Sequence, residues 1–272
     1  MNGFQRTVKY VAMALGLCLA LSIILAIAGG VSALFGVVGW WQEGEMGTVN
    51  FSQEYAGVLN IDIENDMGAL TIRQGDVFRV EAYDARNSFT CRQQGDTLKI
   101  ESGGGWNSFR WGAGGTQIVV TLPQGYEAQR VEIENGAGRV EIKGLKAGLL
   151  AIENGAGAFY GQDMSAQRTN IDAGVGEVSI QQAEFHDLDL ETGVGATAIT
   201  GSVTGRSRVE CGVGETTLNI SGNVADYSIT ADMGIGAISL NGQKISGSAG
   251  TPGAPNALHV SGGIGAVNIN IQ

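Results

Sequence analysis

From Val131 onward apolar residues fall at every second position, as in Val131 and Ile133 and then Val140 and Ile142. A period of two is that of a strand with one buried face. The alternation itself recurs. Ile133-Glu134-Asn135-Gly136-Ala137-Gly138-Arg139-Val140-Glu141-Ile142 returns as Ile152-Glu153-Asn154-Gly155-Ala156-Gly157, then from Ile171, from Leu190 and from Val209. The second glycine of each Gly-x-Gly stands at 138, 157, 176, 195 and 214, a constant spacing of nineteen, and then at 236 and 265 after insertions of three and ten residues. A degenerate earlier copy runs from Ile61 to Ile72.

Nineteen residues cannot enclose a core, so each copy must bury one face against its neighbours. The period therefore predicts an all-β fold, a single-chain β-solenoid, right-handed by the chirality of strand crossovers. Stacking predicts columns of like chemistry. One is Ile133, Ile152, Ile171, Leu190 and Val209; beside it Val140, Phe159, Val178, Thr197 and Thr216 turn toward polar residues. The Gly-x-Gly elements are expected at corners, where a missing β-carbon permits positive φ and close backbone approach.

Before the regular repeats, residues 58–130 read as irregular first coils, with strands over 58–64, 77–83, 97–101 and 116–122. A glycine-rich loop from Ser102 to Gly115, carrying Trp106, Phe109 and Trp111, interrupts them. Residues 131–272 form the regular part, and the insertion over 242–257, with Pro252 and Pro255, is expected to loop out.

A different pattern opens the chain. No charge occurs from Tyr10 to Trp41, a run long enough to cross a bilayer core of roughly 30 Å. Arg6 and Lys9 precede it, Glu43 and Glu45 follow it, and Trp40 with Trp41 suits the interface. This predicts a cytoplasmic tail over 1–9, a transmembrane helix over 10–41, a linker over 42–57 and an extracytoplasmic remainder. The competing reading is a signal peptide cleaved after Ala28, which also exports the rest.

Composition narrows the function. Forty-four glycines against 3 prolines, without a Gly-X-Y period, excludes collagen and marks turns between strands. Net charge is -11, and without Arg6 and Lys9 there remain 14 basic residues against 27 acidic. So acidic a chain lacks the positive footprint of a nucleic-acid or anionic-lipid binder; cations or basic partners fit better. Cys18, Cys91 and Cys211 lie far apart with no CxxC pair, and sequence alone does not bring Cys91 and Cys211 within disulfide reach. No nucleophile elbow, zinc-binding His pair or phosphate loop occurs, and the Gly-x-Gly elements lack the third glycine and helix of a dinucleotide site. The chain reads as no enzyme.

Two features are candidate sites. Glu134, Glu153, Asp172, Glu191 and Glu210 place one carboxylate per coil at the same position, about 4.8 Å apart if the coils stack. Such a ridge suits a divalent cation, calcium or magnesium, or a basic partner; the plain alternative is a solvated face that blocks sheet aggregation. Trp106, Phe109 and Trp111 suit a partner-binding loop, or else a lid over the first coils. No other cofactor is expected.

Finally, Ile118-Val119-Val120-Thr121-Leu122-Pro123-Gln124-Gly125-Tyr126, followed directly by the Ile-Glu-Asn-Gly-x-Gly-x-Val-x-Ile repeats, resembles the bacterial putative-adhesin family of β-strand-repeat proteins of unknown function. The resemblance covers roughly Val58 to the C-terminus. It implies a solenoid ectodomain associated with the cell envelope, in some relatives linked to envelope-stress signalling, with adhesion a role the family carries in name only. An envelope polymer or protein partner is expected. It implies no catalytic residues.

Overall fold

The computed structural model describes residues 49–85, 87–103 and 115–272. The expected tail and transmembrane helix, and the aromatic triplet Trp106, Phe109 and Trp111, lie outside the described residues. Among the described residues no helix is long and apolar enough to cross a membrane. The chain divides into a unit Met1–Gly44 and a unit Glu45–Gln272, and the second is the β-structure.

Among the described residues that unit is one sheet of fourteen strands. The regular coils are β2 (Asn60–Gly75), β7 (Ala128–Lys143), the long β8 (Lys146–His186), β9 (Leu188–Thr204), β10 (Arg206–Ile220), β11 (Tyr227–Leu240) and β14 (Asn256–Ile271). They pair parallel and in register, so that Gly68 meets Gly138, Gly138 meets Gly157 and Gly195 meets Gly214. β8 is 41 residues long and makes two coils.

The Gly-x-Gly corners are not breaks between strands: each strand runs through them. Ladder pairing steps over the first glycine, passing from Asn135–Asn154 to Ala137–Ala156, and the second takes positive φ, +135° at Gly157. A β-carbon on Gly157 would sit 1.8 Å from the carbonyl oxygen of Gly138 in the next coil. Stacking at about 4.8 Å thus leaves room only for hydrogen at this column.

Order in space departs from order in sequence at both ends. β14 lies between β10 and β11, with Gly214 beside Gly265 and Gly265 beside Gly236. At the other end β5 (Thr97–Ser102) and β6 (Thr116–Pro123) together make one coil outside β2, pairing with its two halves. The described chain leaves that coil at Gly103 and rejoins it at Gly115.

The physical reason lies at the edges. A parallel stack ends in unpaired backbone, which invites aggregation unless covered. The outer coil carries antiparallel cover on both halves: β4 (Phe89–Gln94) lies on β5, joined to it by a short turn, and β3 (Arg79–Tyr83) lies on β6 with β1 (Val49–Glu54) beyond it. At the far end β12 (Gln243–Ile245) and β13 (Gly247–Gly250) lie on β11. Asn241 and Gly242, both at positive φ, make the two-residue hairpin from β11 to β12. The segment expected to loop out therefore supplies two capping strands, and the expected linker contains β1.

The core is a single cluster built from the predicted columns. Ile133, Ile152, Ile171, Leu190 and Val209 are all buried, and so are Thr197 and Thr216, so the second column stays in the core where its chemistry turns polar. Beside them runs a column not anticipated as such. Asn65 donates Nδ2 to Oδ1 of Asn135 at 2.8 Å, and Asn135 donates to Asn154 at 2.7 Å; all three are buried. This amide ladder is why Asn precedes the Gly-x-Gly in the early repeats, since each buried amide is partnered by the next.

Candidate functional site

The outward positions of the same strands carry the acidic column. Glu134 pairs with Glu153, and Asp172, Glu191 and Glu210 follow in register. Stacking extends it by two coils that spacing alone did not include, to Glu64 and Glu101. These residues share the pleat with buried Ile133 and Asn135 and so must face out, which fixes every carboxylate on one face.

A second outward column lies two residues upstream, with Asp62 beside Glu132 and Asp189 beside Arg208. Where that second column shrinks to Ala151 and Asn170 a shallow groove of about 260 Å³ opens, lined also by Glu132, Glu134, Glu153 and Asp172.

The electrostatics follow from this crowding. Burial pushes the Glu134 carboxyl above its usual range, and Glu153, Glu64, Glu132 and Asp62 push it further. Asp62 also moves up, by burial first; Lys99 opposes that shift and Glu64, Glu132 and Glu101 add to it. Lys99 neutralises one end, reaching Glu64 at 2.7 Å, Glu101 at 3.2 Å and Asp62 at 3.8 Å. Arg130 is taken up by Glu132 and Arg208 by Glu210. From Glu134 to Glu191 no ion pair to the column occurs among the described residues. Nor, among them, do three or more His, Cys, Asp or Glu residues converge as a metal cluster. The carboxylates stand in file, a geometry that meets an extended row of positive charge more readily than it encloses one ion.

A second concavity, of about 340 Å³, was not legible in the sequence. Tyr55, Val58, Phe78 and Tyr126 line it, with Glu54 and Asp76 at its rim. Phe78 packs edge-on against Tyr126 at 5.3 Å and Tyr55 at 6.4 Å, and burial pushes the Tyr126 phenol up to about 12. Cys91 and Cys211 are both free thiols, on β4 and β10. Residues flanking the aromatic loop, Ser102 and Thr116, are buried at the outer coil's corner.

Parallel coils stacked in register, capped at both ends and bearing one long carboxylate face define an all-β solenoid that presents surfaces. The chain belongs to the Toastrack DUF4097 family, whose model matches residues 58–250; this is the group that the Leu-Pro-x-Gly and repeat order resembles. No curated protein matches the chain. Among solved structures, it is similar to a putative cell adhesion protein from Clostridium sporogenes, at 14% identity over 83% of this chain and 100% of that one, with TM-score 0.35. It is also similar to a putative adhesin from Bacteroides fragilis, at 15% identity over 80% of this chain and 96% of that one, with TM-score 0.38.

Proposed function

We propose that the chain is a membrane-anchored, extracytoplasmic solenoid that serves as a non-catalytic binding surface at the bacterial cell envelope, adhesive in use, with its acidic face as the contact. The observation that carries this reading is the carboxylate column from Glu134 to Glu191, which has no ion-pair partner among the described residues. Like charges directly opposite on neighbouring strands destabilise a sheet by a few tenths of a kcal/mol or more each. A partner presenting lysine or arginine, on a protein or a cationic polymer, relieves that repulsion on binding. Anchorage is supported by the uncharged run from Tyr10 to Trp41 between basic and acidic flanks.

The test is a crosslinking pull-down from native membranes with the full-length protein and with the variant Glu134→Gln, Glu153→Gln, Asp172→Asn, Glu191→Gln. Recovery of a basic envelope component by the wild type, lost in the variant, is the expected result. Equal recovery by both overturns the acidic-face reading. Recovery of a membrane-embedded regulator by both favours the alternative, in which the solenoid reports on the envelope through a signalling partner.

A further inference from the structure

The stretch Leu122-Pro123-Gln124-Gly125-Tyr126 takes no part in the acidic groove. It makes a β-turn: Tyr126 donates its backbone N–H to the Pro123 carbonyl at 3.1 Å, and Gly125 supplies the positive φ, +75°, that the third position of such a turn requires. The turn carries Tyr126 back to Val58, whose carbonyl accepts from its hydroxyl at 3.2 Å. Main-chain bonds tie the neighbouring connections to the same place, from Tyr55 N–H to the Phe78 carbonyl at 2.9 Å and from Gln124 N–H to the Gly75 carbonyl at 3.2 Å. The β1–β2, β2–β3 and β6–β7 connections thus hold Tyr55, Phe78 and Tyr126 around the concavity of about 340 Å³, which is preformed.

What this hollow offers a ligand is narrow in kind. Both tyrosine hydroxyls are committed inward, Tyr126 to Val58 and Tyr55 to the Cys91 sulfur at 3.0 Å, and burial raises both phenols, so neither ionises near neutrality. The tyrosine rings stand steeply to Phe78, at 82° and 78°, and Val77 and Pro123 add aliphatic wall. The polar side chains that remain are acceptors. Glu54 is already paired with Arg79, whereas Asp76 is exposed and has no ion pair among the described residues.

Aromatic surface beside an unpaired carboxylate, with no side-chain donor free among the lining residues, disfavours anions and suits an alkyl cation. Its charge meets the rings and the carboxylate while its methylenes cover apolar wall. A volume of about 340 Å³ is at the small end for ligand sites, the size for one side chain rather than a larger molecule. We infer that this hollow receives a single lysine side chain of a partner protein, its ammonium beside Asp76 and its stem against Tyr55 and Tyr126. The inference rests on the basic partner proposed above but assigns it a second contact, which shares no residue with the acidic groove.

Saturation-transfer NMR on the full-length protein tests this with three probes: Nα-acetyl-lysine N-methylamide, its uncharged norleucine counterpart, and N-acetylglucosamine as a saccharide that stacks on aromatic rings. Transfer to the lysine methylenes is expected, weaker by about fivefold or more for norleucine and for lysine on the variant Asp76→Asn. Asp76→Asn is a surface change and is expected to leave the melting temperature unchanged. Undiminished transfer to lysine in the variant Glu134→Gln, Glu153→Gln, Asp172→Asn, Glu191→Gln is also expected, and separates this site from the acidic face. Loss in that variant with retention in Asp76→Asn would place the lysine on the acidic face and overturn the hollow as its site. Norleucine matching lysine, the saccharide binding in place of lysine, or no transfer to the lysine probe each overturns the inference.

Discussion

At the residue scale, glycine and asparagine divide the work of the corner. Gly157 sits where a β-carbon would strike the Gly138 carbonyl oxygen at 1.8 Å, at φ +135°, whereas a β-carbon on Gly242, at φ +77°, meets nothing within 4 Å. Gly157→Ala is therefore expected to cost more than about 3 kcal/mol, or to prevent folding, and Gly242→Ala only about 1 kcal/mol. Urea denaturation of the two variants measures the contrast. Asn135 bonds to two buried amides, so Asn135→Ala strands both and opens a cavity, an expected loss of about 2–4 kcal/mol in the same assay.

The acidic column gives a pH signature at this scale. The Glu134 carboxyl binds its proton more tightly folded than unfolded. Its contribution is thus unfavourable when ionised and is relieved as pH falls through its raised folded value toward the ordinary 4.5. Glu134→Gln is expected to raise the melting temperature by about 1 °C at neutral pH. That advantage shrinks to nothing in melts below the ordinary carboxylate range. A gain that persists in acid would place the cause elsewhere.

At the scale of elements, the periodicity of nineteen, the strand pairs and the buried columns were readable because identical residues must stack on one another. Alternation alone marks Ile133 and Val140 as inward and Glu134 as outward. The order of the outer coils was not readable. Gly236 and Gly265 carry the same local pattern, and nothing in either repeat says which lies outermost; the covering hairpin decides that. Asn241-Gly242, a strong hairpin pair between apolar runs, was the signal that residues 242–257 return to the sheet. The asparagines at 135 and 154 were visible at the period but not their role, since a polar residue at an inward position reads as a break until its ladder is seen. Replacing residues 243–250 with a short glycine–serine turn is expected to bare the β11 edge and drive concentration-dependent end-to-end assembly, seen by light scattering. A monodisperse monomer would show that the cap is dispensable.

At the scale of the whole molecule, the solenoid repeats one outward position often enough to turn a single carboxylate into a rod of charge. A file of acids on a rigid parallel sheet cannot spread apart, so its repulsion is retained, and the proposed partner with matching positive charge would relieve it. Sequence located five members of that file; the fold added Glu64 and Glu101 and showed that Lys99 closes one end while the middle stays uncompensated. The most direct measurement is binding of the full-length protein to a lysine-rich peptide across a salt series. It compares the wild type, the Glu134→Gln, Glu153→Gln, Asp172→Asn, Glu191→Gln variant, and a charge-matched control with Asp163→Asn, Glu184→Gln, Glu215→Gln and Asp226→Asn. The account predicts salt-sensitive binding that weakens about tenfold or more in the first variant and by much less in the control, a difference of roughly 1.4 kcal/mol. Equal weakening in the two variants would mean that net charge alone attracts the peptide, and would contradict the acidic face as a site.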